Sequence, residues 1–316
     1  MIATILNAML PIVVTLVLGM VAAWHQDFDA NGARVLNRMV MIYALPLVLF
    51  TGILSTPRSQ LVGHTALTAV LVIALIASYM IPFLVARYVV RRDLMSAALQ
   101  ALAIGCPNIG FVGLPVLGYL FGPSVASISV AVSSLVLVVF HIPVTMMLLT
   151  AGAAQRGDAS GPPTGIPAQI AAALKEPMVW GPLLGFAMVL LEIPLPTPLM
   201  KSFDLLGAAT AGVALFSSGI TLYSQRVMFN LPIAVSTLSR NLLIPAIVWA
   251  VVVPLGVISN DQMKEAVIAL AIPSAVVCVI LAVQFRAAER EIASTIFWST
   301  ILSLPTVGLF IWLLGA

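Results

Sequence analysis

Apolar residues fill the chain in long stretches that are separated by short polar loops. At about 20 apolar residues for each crossing of a bilayer, this pattern predicts ten membrane-spanning helices, which we label S1 to S10. Their predicted bounds are 2–24, 36–54, 62–86, 94–121, 125–150, 178–197, 205–223, 237–257, 265–285 and 293–315. The predicted fold class is therefore an all-α polytopic membrane protein.

S4 and S9 each carry a proline in the middle of the apolar stretch. S4 reads CPNIGFVGLP at Cys106–Pro115, and S9 contains Ala271-Ile-Pro273. Proline removes a backbone donor and clashes with the preceding turn, so each helix should break there. Freed N–H and C=O groups at that depth are tolerated where they are buried in protein or line a cavity, and secondary transporters bind substrates at such breaks. We therefore expect a binding site centred on Asn108.

The two breaks are predicted to meet inside the membrane. At ~1.5 Å per residue, Pro107 lies roughly 20 Å from the start of S4 and Pro273 roughly 12 Å from the start of S9. Because the two helices enter a ~30 Å core from opposite sides, the breaks fall at similar height. The second half-helices would then present their N-termini, capped by Asn108 and Ser274, to one locus of partial positive charge.

The candidate substrate-binding residues stand at and beside the two prolines. They are Pro107, Asn108, Ile109, Gly110, Pro273, Ser274 and Ala275. The alternative is a purely structural role, in which Asn108 satisfies backbone groups freed by Pro107 and Pro273 is a plain kink. The two roles are compatible.

A linker divides the chain into two halves of five spans each. Residues 151–167, AGAAQRGDASGPPTGIP, have the composition of a flexible connection. We divide the chain into a first repeat at 1–150, a linker at 151–177 and a second repeat at 178–316. An odd number of spans per half inverts the second half relative to the first. Faint similarity supports this, since ALAI occurs at 101–104 and again at 269–272.

Composition excludes a soluble domain and a nucleic-acid partner. Charged residues make up 8% of the 316 residues and hydrophobic ones 61%, whereas soluble domains carry about 25% charged residues. The net charge of +3 comes from Lys and Arg spread over short loops, which form no basic patch. The expected surroundings are a lipid bilayer. S1 follows Met1 without a basic region and is read as a span rather than a signal peptide.

The loop charges predict how the chain is oriented. One side carries Arg34, Arg38, Arg87, Arg91, Arg92, Arg156, Lys175, Arg226, Arg286 and Arg290, and the other carries Arg58, Lys201 and Lys264. Since positive charge is enriched in cytoplasmic loops, we place the first side in the cytoplasm. Both termini then lie outside an inner (cytoplasmic) membrane, and the linker lies inside.

Ionisable residues within predicted spans are functional candidates. His141 in S5 could carry a coupled proton, with helix packing as the alternative. Arg240 in S8 could attract an anion, or could stand at the inner edge of the membrane and extend to the headgroups. Cys106 and Cys278 are expected to be buried thiols. No metal-ligand spacing and no nucleotide-binding fingerprint occurs, so neither a metal nor a cofactor is predicted.

An ordered set of motifs resembles the auxin efflux carrier family, which includes bacterial carriers of malonate and other carboxylates and the plant PIN-formed auxin exporters. The resemblance covers nearly the whole chain apart from the linker. Its motifs are LNRMVMIYALP at 36–46, Pro107-Asn108 with Gly113-Leu-Pro115, LFSSG at 215–219, Arg240 with Pro245, Ala271-Ile-Pro273, and Ser294-Thr295 with Leu304-Pro305.

The resemblance implies two inverted repeats of five helices with crossed, broken S4 and S9. S1, S2, S6 and S7 would form a scaffold that also makes a homodimer, and the other helices would form a mobile transport unit. Leu45 and Pro46 in S2 would then face the crossing, either as walls of the site or as packing residues. One departure concerns Ser274 and Ala275, which stand where plant exporters carry Gln-Gly. Recognition of indole acids is therefore in doubt.

These observations together predict a secondary transporter of a small organic anion, because half-helix N-termini favour carboxylates. An anion channel is the first alternative, although no span carries a polar stripe long enough for a pore. An intramembrane enzyme is the second alternative, and the three histidines, His25, His64 and His141, stand too far apart in sequence for a metal motif.

Overall fold

The computed structural model describes residues 2–55, 57–58, 63–156, 177–223 and 227–316, with 2–9, 12, 30, 178 and 179 described by their backbone alone. Within these ranges the chain is helical and contains no strand beyond one isolated bridge. The all-α prediction is confirmed. Residues 151–155 of the predicted linker continue the S5 helix, while 157–176 lie outside the described residues.

Helices occupy all ten predicted regions. In chain order they are Ile2–Trp24 in S1, Ala30–Met39 and Leu45–Leu54 in S2, Thr65–Leu84 in S3, Leu94–Gly105 and Leu114–Phe121 in S4, Pro123–Val136 and Ile142–Gln155 in S5, Pro177–Leu190 in S6, Thr197–Gly207 and Ala209–Tyr223 in S7, Leu231–Leu238 and Ile244–Leu255 in S8, Asn260–Ala271 and Val277–Gln284 in S9, and Glu289–Leu314 in S10.

Five π-helical turns join or extend these helices, at Val40–Ala44, Val85–Val89, Ile109–Gly113, Leu137–His141 and Ser239–Leu243. Four of them come directly before a helix whose second residue is proline. A proline ring clashes with the carbonyl four residues earlier, and the wider π turn moves that carbonyl away. Proline therefore widens S2, S5 and S8 locally without ending the helix.

Six continuous helices among the described residues are long and apolar enough to cross a membrane, and they fall in S2, S3, S5, S7, S8 and S10. The S1 helix is 23 residues long with Pro11 inside it, the S6 helix is shorter, and S4 and S9 are broken. Many large apolar side chains on the outer faces are exposed, including Ile73, Ile81 and Leu205. Because such faces suit a lipid surrounding, the chain is an integral membrane protein.

Helices of the predicted scaffold pack on one another through small residues. S1 contacts S7 where Gly19 meets Gly219, and a Cβ at Gly19 would lie 2.0 Å from the Phe216 carbonyl oxygen. S6 contacts S2 where Gly181 meets Pro46. Small residues let membrane helices approach closely. S3, S4, S5, S8, S9 and S10 make their own set of contacts with one another.

S4 and S9 break at the predicted places. The first half of S4 ends at Gly105 and the first half of S9 ends at Ala271. The two extended segments that follow pair as one antiparallel bridge between Pro107 and Ser274. This bridge holds the two breaks together at the centre of the molecule.

Candidate functional site

The backbone of the crossing is held by two hydrogen bonds between S4 and S9. The Asn108 N–H donates to the Pro273 carbonyl at 2.7 Å, and the Ala275 N–H donates to the Cys106 carbonyl at 3.0 Å. Each segment thus provides hydrogen-bond partners for backbone groups that the break in the other segment leaves unpaired. Non-helical backbone at membrane depth needs such partners.

Arg240 from S8 satisfies the ends of both first half-helices. It is 0% exposed. Its guanidinium donates to the carbonyls of Ile104 at 3.0 Å, Leu270 at 2.7 Å and Ile272 at 2.9 Å. Carbonyl groups at a helix C-terminus carry about half a negative charge, so one cation serves two such ends.

This position corrects the expectation that Arg240 extends to the headgroups. Residues Leu231–Leu255 form one continuous span, so Arg240 does not follow a separate surface helix and lies inside the membrane. Three of its donors bind backbone carbonyls, so Arg240 stabilises the crossing before it can serve any ligand.

Serine side chains satisfy the remaining carbonyls near the break. The Ser274 hydroxyl donates to the Ala103 carbonyl at 2.6 Å, and the Ser78 hydroxyl reaches the Gly105 carbonyl at 3.3 Å. The Ser274 N–H donates to the Ser299 hydroxyl at 3.0 Å, and that hydroxyl donates to Asn241 at 2.7 Å. These bonds join S8, S9 and S10 behind the crossing.

The predicted caps are not formed. Asn108 precedes the second half of S4 but makes no side-chain capping bond. The second half of S9 begins at Val277, three residues after Ser274, and the Ser274 hydroxyl faces Ala103 instead. Ser274 pairs with Pro107 in the bridge and the Asn108 N–H donates to the Pro273 carbonyl, so both positions belong to the contact between S4 and S9.

A cavity of about 90 Å³ lies between the crossing and S2. Its wall consists of Asn37, Met41, Leu45, Pro107, Asn108, Ile109, Gly110, Phe111, Leu137, Ala275, Val276, Val277 and Ile280. The first residues of both second half-helices, Ile109 and Val277, are among them. The wall is apolar apart from two side-chain amides, which is the usual composition of a small-molecule site.

The Asn108 side chain has no hydrogen-bond partner among the described residues, although it is only 9% exposed. It lines the 90 Å³ cavity and also a smaller one of about 20 Å³ between S1, S7 and S10. A buried polar group without a partner costs about 1–3 kcal/mol. The amide is therefore available to a ligand.

The other amide of the cavity belongs to Asn37 and is held in place. Asn37 Oδ1 accepts a hydrogen bond from the Ser217 hydroxyl at 2.5 Å, which leaves its NH₂ group free to face the cavity. This bond connects the Leu36–Pro46 motif in S2 with the Leu215–Gly219 motif in S7. Asn37 lies in the first of these motifs but was not among the predicted site residues.

The structure brings most of the predicted site residues together. Pro107, Asn108, Ile109, Gly110, Ala275 and Leu45 line the cavity. Gly110 packs closely on Leu45, since a Cβ there would lie 2.9 Å from Leu45 Cδ2 and would make that side chain shift. Pro273 and Ser274 form the backbone of the crossing but not the cavity wall. Pro46 packs on Gly181 in S6.

His141 lies behind the cavity wall and is 0% exposed. Its Nε2 is 3.0 Å from the Leu75 carbonyl and its ring stacks on Tyr79 with centroids 5.4 Å apart. A carbonyl partner requires Nε2 to carry a proton in the neutral ring, and the buried Nδ1 has no partner. These contacts favour the packing role over proton carriage.

We expect His141→Gln to leave the pH dependence of transport unchanged, because the ring packs on Tyr79 and bonds the Leu75 carbonyl. Uptake rates into proteoliposomes, compared across a pH series, measure this. A flattened pH profile in a correctly folded variant would return His141 to the coupling role.

Cys106 and Cys278 are buried free thiols, as predicted. Among the residues that the structure describes, no three His, Cys, Asp or Glu side chains group as a metal site.

Two polar contacts between distant segments, one buried and one partly buried, were not predicted from the sequence. Glu265 in S9 is 2% exposed and accepts a hydrogen bond from Ser129 in S5. Arg92 and Glu291 form a bidentate ion pair at 2.6 and 2.7 Å that joins the S3–S4 loop to S10. Glu265 follows Asn260, Asp261, Gln262 and Lys264 at the polar start of S9, so its sequence context gave no sign of burial. The Arg92 pair spans 199 positions and left no local signal.

The crossed breaks and the cavity place the chain in the class of membrane transporters, and comparison with known proteins specifies the family. The chain belongs to the membrane transport protein family, which matches residues 4–311. The resemblance to the auxin efflux carriers is thereby confirmed.

Three relatives illustrate the similarity. The "Uncharacterized transporter YfdV" of Escherichia coli (strain K12) is 29% identical over 313 residues, covering 99% of this chain and 98% of the relative. The "Putative malonate transporter" of Rhizobium meliloti (strain 1021) is 25% identical over 312 residues, covering 96% and 94%. An "Uncharacterized transporter" of Methanothermobacter thermautotrophicus is 26% identical over 308 residues, covering 96% of each.

Proposed function

We propose that this membrane transporter is a secondary transporter that moves a small organic anion by alternating access, with the anion bound at the crossing of S4 and S9. The observation that carries the proposal is the partnerless amide of Asn108 in a cavity that also contains the starts of both second half-helices. A carboxylate would accept hydrogen bonds there and would face two helix N-termini.

The charge balance of the crossing favours an anion. Each helix terminus contributes roughly half a charge, positive at the N-terminus and negative at the C-terminus. Arg240 offsets the two C-terminal ends, which it contacts directly. The positive N-terminal ends at Ile109 and Val277 are then left without a compensating group from the protein.

The size of the cavity favours a small ligand. At about 90 Å³ the cavity is smaller than the roughly 300–1,000 Å³ of sites that hold drug-sized ligands. A short carboxylate fits this space better than an indole acid does, in agreement with the departure at Ser274 and Ala275. One of the relatives bears the name "Putative malonate transporter", and malonate is a short dicarboxylate.

Alternating access would use the two groups of helices that the resemblance implies. S1, S2, S6 and S7 would form a fixed scaffold and the homodimer contact, and the remaining helices would carry the crossing past Asn37 and Leu45. We include in this proposal the arrangement of ten spans as two inverted repeats. Its support is the faint internal similarity and the occurrence of one broken helix in each half.

The test is uptake of labelled mono- and dicarboxylates by the purified protein in proteoliposomes, with empty liposomes as the control. Saturable uptake with counterflow, in which unlabelled anion inside accelerates entry of labelled anion, supports a carrier. Uptake that never saturates and shows no counterflow would instead indicate the alternative function, an anion channel. Chemical conversion of the anion would indicate an enzyme.

We expect both termini outside the inner membrane and the linker in the cytoplasm, because ten Lys and Arg lie on one side and three on the other. Single cysteines at Ser160 and Ala316, in a protein lacking Cys106 and Cys278, report this with an impermeant thiol reagent on intact cells. Ala316→Cys should react and Ser160→Cys should not. Reaction of Ser160→Cys from outside would reverse the orientation.

A further inference from the structure

Glu265 is a buried acid without a cationic partner. It stands in the Asn260–Ala271 helix of S9, roughly 12 Å from the break at Pro273 at ~1.5 Å per residue, and it is 2% exposed. Its Oε1 accepts a hydrogen bond from the Ser129 hydroxyl. No ion pair joins Glu265 to any residue that the structure describes.

The neighbouring elements bring little charge to this site. Tyr79 in S3 is bonded to Thr145, and Arg240 in S8 is committed to the three carbonyls of the crossing. The other titratable groups on elements packed against the helix are Tyr119 at the end of S4, and Glu289, Arg290 and Glu291 in the first turn of S10. Glu291 is paired with Arg92.

Glu265 can be reached from one side through a cavity of about 550 Å³. The polar side chains that line this cavity with Glu265 are His64, Ser259, Asp261, Gln262 and Lys264. Lys264 turns away from Glu265 and donates to the Gly315 carbonyl at 3.0 Å. At ~30 Å³ per molecule the cavity has room for more than ten waters, and by the proposed orientation it opens outward.

Burial makes the charge of Glu265 expensive. A carboxylate away from water needs a cation or several donors, and Glu265 has one serine. The acid can therefore exchange between a charged form that cavity water reaches and a neutral form that keeps its bond to Ser129. Buried acids of this kind in membrane spans commonly belong to proton relays.

We propose that Glu265 is the proton-binding group that couples anion movement to a proton gradient. This proposal rests on the proposed function. A proton from the outer cavity forms an O–H bond with the Glu265 carboxylate. The neutral acid then moves with S5 and S9 through the low-dielectric region, and the O–H bond breaks when the site faces cytoplasmic water. One proton entering with one monoanion carries no net charge.

The first experiment detects the proton directly and needs no substrate. Infrared difference spectra of the purified protein, recorded between two pH values, should contain the C=O band of a protonated carboxylic acid, with a shift in D₂O. Glu265→Gln should remove this band. Asp261→Asn, which changes an exposed acid of the same cavity, should keep it. Ser129→Ala should shift the pH midpoint of the band, because it removes the hydrogen bond to Glu265. If Glu265→Gln does not fold, this shift tests the assignment of the band to Glu265 in its place.

The second experiment measures coupling in proteoliposomes. An inward proton gradient of one pH unit should drive accumulation of up to about tenfold in the unmodified protein and in Asp261→Asn, since one unit is a factor of ten in proton activity. Glu265→Gln should lose this accumulation while retaining anion exchange at equal pH, because glutamine imitates the neutral acid.

Several results would overturn the coupling role. They are an acid band that survives Glu265→Gln, proton-driven accumulation that survives the same change, and accumulation driven by a sodium gradient instead of the proton gradient. Failure of the proposed function looks different. In that case no anion is transported by any variant, while the infrared spectra still report whether Glu265 binds a proton.

Discussion

Asn108→Asp should abolish anion binding, and it should be more damaging than Asn108→Ala. The amide of Asn108 lines the cavity at the crossing without a partner in the protein, so it can donate to a carboxylate. Removing that donor should cost about 1.5–3 kcal/mol, which weakens affinity roughly ten- to hundredfold in Asn108→Ala. Aspartate additionally places a negative charge where the substrate charge must lie. The repulsion between the two charges is strong there, because the site is buried away from bulk water.

Binding to the folded protein in detergent, measured by calorimetry with a panel of carboxylates, tests this order of effects. The matched control is Asn260→Asp, the same chemical change at an exposed position in the first turn of S9. It should bind normally. Near-normal affinity in Asn108→Asp would exclude Asn108 as an anion ligand, and would leave it a backbone role in the crossing.

Pro107 and Pro273 indicated the two breaks in the sequence, and arithmetic on helix rise then places both at one height. Proline alone does not decide a break, because Pro46, Pro143 and Pro245 follow π-helical turns within continuous helices. What the freed carbonyls bind could not be predicted in this way. Ile104 receives its hydrogen bond from Arg240, which is 136 positions away, and no sequence period reports such a pairing.

The errors at Asn108 and Ser274 have a similar origin. Both residue types cap helices well, and each follows or adjoins a proline. The capping prediction treated each half-helix separately. In the structure the two breaks pair with each other, and this contact between distant segments decides what the neighbouring side chains can reach. The burial of Glu265 was likewise not predicted, and its hydrogen bond with Ser129 in S5 is again a contact between distant segments.

Arg240 connects the stability of the crossing with its electrostatics. The guanidinium presents donors in a planar fork, and three of them bind carbonyls at the ends of the first halves of S4 and S9. The positive charge compensates the two C-terminal dipole ends. The N-terminal ends at Ile109 and Val277 therefore dominate the field in the cavity, although Arg240 itself is absent from the cavity wall.

Arg240→Met should accordingly destabilise the protein rather than only weaken binding. It leaves three buried carbonyls without donors, at about 1–3 kcal/mol each when unsatisfied. A total loss of roughly 3–5 kcal/mol, the range for removing one partner of a buried charged group, would lower the melting midpoint by on the order of 10 °C. Arg240→Lys should lower the melting midpoint less than Arg240→Met does, because its ammonium keeps the charge. It should still lower the midpoint, because one ammonium cannot reach three carbonyls as the planar guanidinium does.

The measurement is the thermal midpoint of monodisperse protein, followed by anion affinity on the fraction that stays folded. Arg34→Met, at an exposed position in S2, is the matched control and should melt with the unmodified protein. If Arg240 were instead a direct ligand of the anion, Arg240→Met would melt normally and lose affinity alone. The same chain would then have to satisfy Ile104, Leu270 and Ile272 from another donor, and in the folded structure each of these carbonyls faces Arg240.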